Sequence, residues 1–425
     1  MMMLVAFIVF MILLFMGVPI AFSMGLGSLL GLLVSSNPLS VVGQRLFSGI
    51  NSFSLMAIPF FMLSGELMDK GGISRRLVNF AHSLVGHITG GLGMVDILTS
   101  IIFAGISGSA AADTAAVGAI LIPPMKERGY PAGLAAVIQA TAGSLGPIIP
   151  PSLTMIIYCS LTNLSIGECF MAGVIPGLII GLGTMIVTYF YAKKLGIKGE
   201  RRATLKEVWT ATKQAGLAII MPLIIIGGIV GGVFTATEGS AIAVVYALIL
   251  GVCYRNITLK SFWNIVVDSA KMSGMVVFLI GVSNILGWVM SFNQIPQAVS
   301  AALLGLTENK YLILLIMNVI LLVAGTFMDV TPAILIFTPL FLPIVKTFGM
   351  HPVHFGLILV YNLCIGNITP PVGNTLFVSI KVGRTTLAKT IPYMLWYYAA
   401  ILVGLLLVTY LPVLSMGLPG LAGLV

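Results

Sequence analysis

Charge is what this sequence has least of. Only 8% of its 425 residues are Asp, Glu, Lys or Arg, where a soluble domain carries about a quarter. A soluble fold of this length could not hide 59% hydrophobic residues, because the exposed fraction falls only slowly with size. Cysteine is also scarce. The four present (Cys159, Cys169, Cys253, Cys364) show no Cys-x-x-Cys spacing, which points to small core residues rather than a thiolate metal site. Cys159 and Cys169 are close enough to meet on one side of a membrane, but nothing in the pattern calls for a disulfide. The first residues lack a basic leader and a small-residue cleavage site, so the opening apolar stretch is expected to be a retained span. Long basic tracts are absent as well. The net charge of +9 is scattered over short breaks between apolar runs, the pattern of cytoplasmic loops facing anionic lipid and not of a nucleic-acid surface. What remains is an all-α polytopic membrane protein whose first partner is the lipid bilayer.

Glycine and proline are abundant, at 48 and 21 residues, as membrane helices allow. A span needs about 20 apolar residues. Residues 2–35 supply either two short spans or one bent helix, broken at Gly17-Val-Pro19. A connector with Arg45 follows, then a span over 53–68. Residues 70–90 mix Lys70, Arg75, Arg76, His82 and His87 with Leu77, Val78, Phe80, Leu84 and Val85, which reads as an interfacial amphipathic helix. Two short apolar arms, 91–106 and 114–125, flank Ser107-Gly-Ser-Ala-Ala-Ala-Asp113. That joint is too polar for lipid but is permitted where backbone lines a cavity, so the segment reads as a re-entrant hairpin. Residues 132–158 form a span interrupted at Gly146–Pro151, and 172–192 cross again. The loop 193–213 is the most basic. Spans over 215–233 and 239–253, an amphipathic segment 255–271, a span 272–290 and an interfacial segment 291–310 follow. A second hairpin over 311–345 has its tip at Gly325–Pro332, a second interrupted span covers 352–380, and 392–413 is the last crossing.

Placing 193–213 in the cytoplasm puts 69–90, 126–131, 254–271 and 381–390 on the same side. Loops 36–52, 159–170, 291–310 and 346–353, poor in Lys and Arg, fall outside. The order span, interfacial helix, hairpin, broken span, span then occurs twice with opposite orientation, the signature of a secondary transporter. The expected parts are N-terminal scaffold spans (1–52), a first repeat (53–192) with hairpin 91–125 and broken helix 132–158, and a basic loop with linking helices (193–271). A second, inverted repeat (272–413) carries hairpin 311–345 and broken helix 352–380, and a tail covers 414–425.

Broken helices free backbone carbonyls, which with Ser, Thr and Asn oxygens suit a hard cation such as Na⁺. Freed amides at half-helix N-termini suit an anion. Pro150-Pro151 and Pro370-Pro371 can hold such breaks open. Asp113 and Asp329 follow the two tips. A carboxylate in a membrane reads first as functional, with an N-cap as the alternative. Thr235-x-x-Glu238 fits a capping box. Gly227-Gly228 and Gly231-Gly232 suggest close helix packing. His351-Pro-Val-His354 has metal spacing but no companion acids or thiols. Gly90-Gly91-Leu-Gly93 follows no strand, which removes a nucleotide loop. Gly105-Ile-Ser107-Gly108 resembles the nucleophile motif of rhomboid intramembrane proteases. With all four histidines expected in loops or interfacial segments, Ser107 would lack a base, so no enzyme is expected.

Several stretches together resemble the large membrane subunit of tripartite ATP-independent periplasmic (TRAP) transporters: Ser52-Phe-Ser-Leu-Met-Ala-Ile-Pro-Phe-Phe61 with Gly65-Glu66, Ser107-Gly-Ser109 to Asp113-Thr114, Ile148-Ile-Pro-Pro-Ser152, Phe234-Thr-Ala-Thr-Glu-Gly239, Met328-Asp-Val-Thr-Pro332 and Ile368-Thr-Pro-Pro-Val-Gly-Asn374. The resemblance runs essentially end to end. It implies a multi-pass permease of a bacterial inner (cytoplasmic) membrane with an elevator-type, inverted-repeat fold. It implies Na⁺-driven import of an organic acid (sialic acid, a C4-dicarboxylate or another sugar acid) delivered by a periplasmic substrate-binding protein. A small four-helix membrane subunit is implied as a separate chain. At least two Na⁺ sites are implied, one from Ser107, Gly108 and Asp113 with Gly146 and Pro150, the other from Gly325, Thr326, Asp329 and Thr331 with Gly366 and Thr369. The substrate would lie near Ser109, Ser152, Asn367 and Asn374. Neither motif stretch contains an arginine, so a carboxylate would be held by amides, hydroxyls or an arginine elsewhere. A stand-alone divalent-anion/Na⁺ symporter shares the hairpin and broken-helix plan and needs no binding protein.

Overall fold

The structure is a computed structural model and describes residues 2–34, 38–307 and 309–424. Regular structure among these residues is entirely helical. Helices α1 (Met2–Phe15) and α2 (Ile20–Val34) fold back against each other. Gly27 permits the close approach, since a Cβ there would stand 2.6 Å from the Ala6 carbonyl. Of the two readings of residues 2–35, two short helices is therefore the one found, residue 35 itself lying outside the described residues. The expected connector over 36–52 holds a helix, α3 (Ser40–Ile50), which packs along α13 (Leu259–Phe292).

The first repeat follows as α4 (Ala57–Lys70), α5 (Ile73–Val85), hairpin α6 (Gly91–Ser107) and α7 (Ala110–Glu127), broken helix α8 (Ala132–Gly143) and α9 (Leu153–Thr162), and span α10 (Ile166–Lys194). Linking helices α11 (Leu205–Val230) and α12 (Ala236–Cys253) lead into α13. The second series is the far half of α13, then α14 (Ile295–Leu306), hairpin α15 (Lys310–Phe327) and α16 (Val330–Thr347), broken helix α17 (Pro352–Asn367) and α18 (Asn374–Val382), and span α19 (Leu387–Tyr410). The molecule is thus an inverted-repeat membrane fold with two hairpins and two broken helices. Among the described residues, seven helices are long and apolar enough to cross a membrane singly. Each arm of the first hairpin, at 17 and 18 residues, is about 26 Å long and falls short of a bilayer core of about 30 Å.

Several boundaries differ from the sequence reading. From Leu259 onward the amphipathic segment 255–271 and the span 272–290 are one continuous 34-residue helix, α13, because no proline interrupts them. The basic loop shrinks to residues 195–204, with Lys206 and Lys213 on α11, because Thr204 and Glu207 form a capping box that starts the helix there. The expected tail forms a helix, α20 (Val413–Leu421), which packs on α10. The paired glycines of 227–232 are not a packing seam. Gly227 and Gly232 face open space, Gly231 meets only Gly227 and the nearby Val233, and Gly228 meets the ring of nearby Phe234. His354 is not a loop residue: it is 2% exposed inside α17 and shares a 2.7 Å hydrogen bond with Ser415 of α20. Cys159 and Cys169 are free, buried thiols.

The capping box at Thr235 and Glu238 is present, the Thr235 amide donating to Glu238 at 2.7 Å. Removing its hydroxyl leaves an amide of the first turn without its acceptor. Thr235→Ala is expected to lower the thermal midpoint in detergent modestly, and an unchanged melt would show that packing alone fixes the start of α12.

Contacts between loops reproduce the sidedness drawn from charge. Glu200 pairs with His82 at 3.1 Å and Arg128 at 2.6 Å. Burial pushes the Glu200 carboxyl up, but its hydrogen bonds from His82 and Arg128 outweigh this and hold it below the ordinary range. Asn256 Nδ2 donates to the Gly71 carbonyl at 2.8 Å, and Lys126 Nζ to the Gly383 carbonyl at 3.2 Å. All five basic loops therefore gather at one end. At the other, the Tyr158 hydroxyl donates to the Pro352 carbonyl at 2.6 Å and Tyr410 to Tyr311 at 3.0 Å. The first hairpin begins and ends among the basic loops and the second at the opposite end, so the two enter from opposite sides.

The broken helices form the core. Every residue of α17 from Val353 to Asn367, and of α8 from Gly133 to Gly143, is buried, as expected of helices apolar on all faces. The second half of each broken helix crosses to the other repeat: α9 packs on α16 and α17, while α18 packs on α7 and α8.

Candidate substrate and ion site

At the first tip the turn is shorter than the polar stretch suggests. Only Gly108 and Ser109 lie between α6 and α7, because the three alanines after Ser109 continue as helix. Asp113 therefore sits in the first turn of α7 and is not its N-cap. Gly108 adopts φ +62°, and a Cβ there would stand 2.7 Å from the Pro151 carbonyl, so the tip touches the break directly. Gly146 faces it: a Cβ at Gly146 would stand 2.6 Å from Asp113 Oδ2. The Ser107 hydroxyl donates to Asp113 Oδ1, while Oδ2 has no hydrogen-bond partner. Gln139 Nε2 of α8 donates to the Asp113 carbonyl at 3.4 Å. The carboxylate is fully buried. The structure thus brings Ser107, Gly108, Asp113 and Gly146 together, with the Pro150 carbonyl 3.3 Å from where a Gly105 Cβ would stand. Ser152 is engaged otherwise. Its hydroxyl donates to the Pro147 carbonyl and accepts from the Met155 amide, capping α9.

The second tip repeats the plan with different chemistry. Gly325 and Gly366 meet backbone to backbone; a Cβ on Gly366 would stand 2.4 Å from Gly325 Cα. Asn367 Nδ2 donates to Asp329 Oδ1 at 3.1 Å, and Asn374 is the other amide acting on that carboxylate. Asp329 occupies the N-cap position of α16 without a side-chain capping bond. The Val372 amide donates to the Thr326 carbonyl at 3.1 Å, and the Thr369 hydroxyl to the Ile365 carbonyl at 2.6 Å. Thr331 lies in the first turn of α16. Asp329 and Asn374 are exposed where Asp113 is sealed. Both breaks carry a cis Pro–Pro bond, Pro150–Pro151 and Pro370–Pro371.

A cavity of about 440 Å³ separates α4, α5 and α13 from the first hairpin. Its walls include Ser107 and Ser109 at the tip, the alanine face of α7, and Glu66, Asp69, Lys70 and Arg75 toward the basic-loop end. Of the four expected substrate residues only Ser109 borders it. Sequence reasoning missed Arg75 and Lys70, having counted them only as topological charge, although Gly65-Glu66 beside them belongs to a quoted motif. A second cavity of about 440 Å³ lies at the opposite end, between Arg45 of α3, Ser283 to Ser291 of α13, and α16. Oxygens of Ser107 and Asp113 beside a helix break suit a hard cation. Guanidinium, ammonium and hydroxyl groups around one cavity can hold a carboxylate, here beside the acids Glu66 and Asp69 on the same rim.

Residues 7–414 match the family described as tripartite ATP-independent periplasmic transporter, DctM component. The chain belongs to this family. This TRAP permease is 40% identical to the C4-dicarboxylate TRAP transporter large permease protein DctM of Pseudomonas aeruginosa, covering 95% of both chains. It is 43% identical to the isethionate TRAP transporter permease protein DctMQ of Oleidesulfovibrio alaskensis, over 97% of this chain and 65% of that longer one. Among solved structures, the YdaH transporter of Alcanivorax borkumensis shares the fold with a TM-score of 0.63 at 15% identity, covering 87% of this chain and 86% of that one. The TRAP permease is a multi-pass membrane transporter component and not an enzyme. Consistent with this, the Ser107 hydroxyl bonds to a carboxylate and not to a histidine.

Proposed function

We propose that this TRAP permease imports a small organic acid across a bacterial inner membrane, driven by Na⁺ and fed by a periplasmic substrate-binding protein, together with a small membrane subunit on a separate chain. The observation that carries this reading is the cavity joining Ser107 and Ser109 of the first tip to Arg75 and Lys70. Arg75 and Lys70, which share the rim with Glu66 and Asp69, offer donors to an anion, the tip hydroxyls orient it, and the carboxylate of Asp113 beside the tip links the same backbone to a cation. Substrates named for relatives, isethionate and C4-dicarboxylate, are both small organic anions. In this reading the hairpins and broken helices move as one body between the inner and outer cavities, an elevator. Sialic acid and other sugar acids fit the same recognition chemistry.

The test is uptake into proteoliposomes holding both membrane subunits, with the binding protein outside and an inward Na⁺ gradient. Uptake of an organic acid is expected only with both. Uptake by the membrane subunits alone would favour the stand-alone symporter. Arg75→Ala is expected to raise the KM for an acid substrate roughly three- to tenfold with little change in kcat, since it removes ground-state attraction only. An unchanged KM would take Arg75 out of substrate recognition.

A further inference from the structure

One buried carboxylate takes no part in either tip. Asp96 lies on α6, eleven residues before Ser107 and so about 16 Å away along the helix. It is 0% exposed, and neither of its oxygens has a hydrogen-bond partner. No basic side chain acts on it. Thr99 and Ser100, at i+3 and i+4, share its helix face. Both are 0% exposed, and both hydroxyls lack partners too. Some buried helical hydroxyls elsewhere return to a carbonyl of the preceding turn, as Ser64, Thr141 and Thr184 do, while others, such as Ser28 and Thr338, are also unpartnered. What sets Thr99 and Ser100 apart is the unpartnered carboxylate on their own helix face.

The same face of α6 meets two further hydroxyl-bearing side chains, with a third behind them. The Gly93 amide donates to the Tyr130 hydroxyl at 3.3 Å, and a Cβ on Gly93 would stand 2.7 Å from Thr188 Cγ2 of α10. Thr188 in turn shares a 2.7 Å hydrogen bond with Tyr397 of α19. Tyr130 and Tyr397 both lie within electrostatic reach of Asp96. A carboxylate buried in the protein without a counter-charge costs several kcal/mol. The oxygens of Asp96, Thr99 and Ser100 share one face, yet none is bonded to another. Ligands held about 2.3–2.6 Å from a hard cation stand roughly 3.4 Å or more apart, beyond ordinary hydrogen-bond contact. Three buried, unpartnered oxygen-bearing side chains on one helix face make a candidate ligand set for an ion.

We propose that Asp96, Thr99 and Ser100, with the Tyr130 hydroxyl, bind a monovalent cation at a site separate from both hairpin tips. Among the described residues no group of three or more His, Cys, Asp or Glu surrounds any point, which argues against a divalent ion. The choice of Na⁺ rests on the coupling proposed above. Bound there, the ion would tie α6 to the 126–131 turn, which opens α8, and so fix the root of the first hairpin.

The test is ²²Na⁺ binding and Na⁺-dependent thermal stabilisation of the purified membrane complex without substrate, with K⁺ as the control ion. Asp96→Asn is expected to remove one bound Na⁺ per chain or weaken it at least tenfold, while Asp113→Asn removes a different one. The milder Thr99→Ala/Ser100→Ala double variant should shift Na⁺ affinity in the same direction, which keeps the test decisive if Asp96→Asn does not fold. If the wild type binds Na⁺ and these variants bind it equally, this site falls while the coupling stands. If the wild type binds no Na⁺ at all, both fall.

Discussion

Gly366→Ala should abolish uptake and lower the thermal midpoint of the permease sharply. The added methyl would stand 2.4 Å from both Cα and the carbonyl carbon of Gly325, and 2.9 Å from its oxygen. All three are backbone atoms, so no rotamer change relieves the clash. The second hairpin must separate from its broken helix. Overpacking of this kind costs typically 1–3 kcal/mol, and more where backbone must move. Two comparisons make the outcome specific. Gly325→Ala meets Gly366 Cα at 3.0 Å and should be the milder of the pair. Gly227→Ala meets nothing within 4 Å and should be neutral or slightly stabilising, because alanine favours helix. Thermal melts of the three variants, with uptake measured in parallel, give the ranking. A Gly366→Ala protein that melts like Gly227→Ala would refute the backbone contact.

Asp113→Asn carries the second large effect. The amide is nearly the same size, and its oxygen still accepts from Ser107, so packing at the tip survives. What disappears is the negative charge beside Gly146 and the unpartnered Oδ2. If the first tip binds Na⁺ as proposed, the Na⁺ concentration for half-maximal uptake should rise tenfold or more, a loss of about 1.4 kcal/mol. Ser107→Ala should move it in the same direction by less. A variant that melts lower but keeps wild-type Na⁺ dependence would make Asp113 a structural carboxyl.

The architecture was readable because a bilayer imposes simple rules. Hydropathy located the spans, and the Lys and Arg of short loops fixed sides that the contacts of Glu200, Asn256 and Lys126 then reproduced. Prolines and glycines marked both broken helices. The misses have physical causes. Polarity suggested that Ser107–Asp113 was all turn, but alanine carries helix through it, so Asp113 lies in a helical turn and the N-cap alternative for it falls away. Charge at Arg255, Lys260 and Lys271 invited a cut in α13, yet charges do not stop a helix that lacks a breaker. Asp96 was absorbed into an apolar arm, since no sequence pattern shows whether a lone carboxylate finds a partner. Arg75 gave no sign of facing a cavity, because that depends on how α5 packs beside α4 and the hairpin.

Helix α13 sets a length. It borders the cavity at the basic-loop end at Ser269 and Met272, and the cavity at the opposite end from Ser283 through Trp288 to Ser291. Both belong to one unbroken helix, so Met272 and Trp288 are about 24 Å apart along its axis. A thicker or thinner bilayer can tilt this rod, but stretching it would break its backbone hydrogen bonds. The distance between the two chambers is thus written into the chain and not into the surrounding lipid. Moving the same permease between membranes of different thickness would change the slope of this ruler, not its graduation.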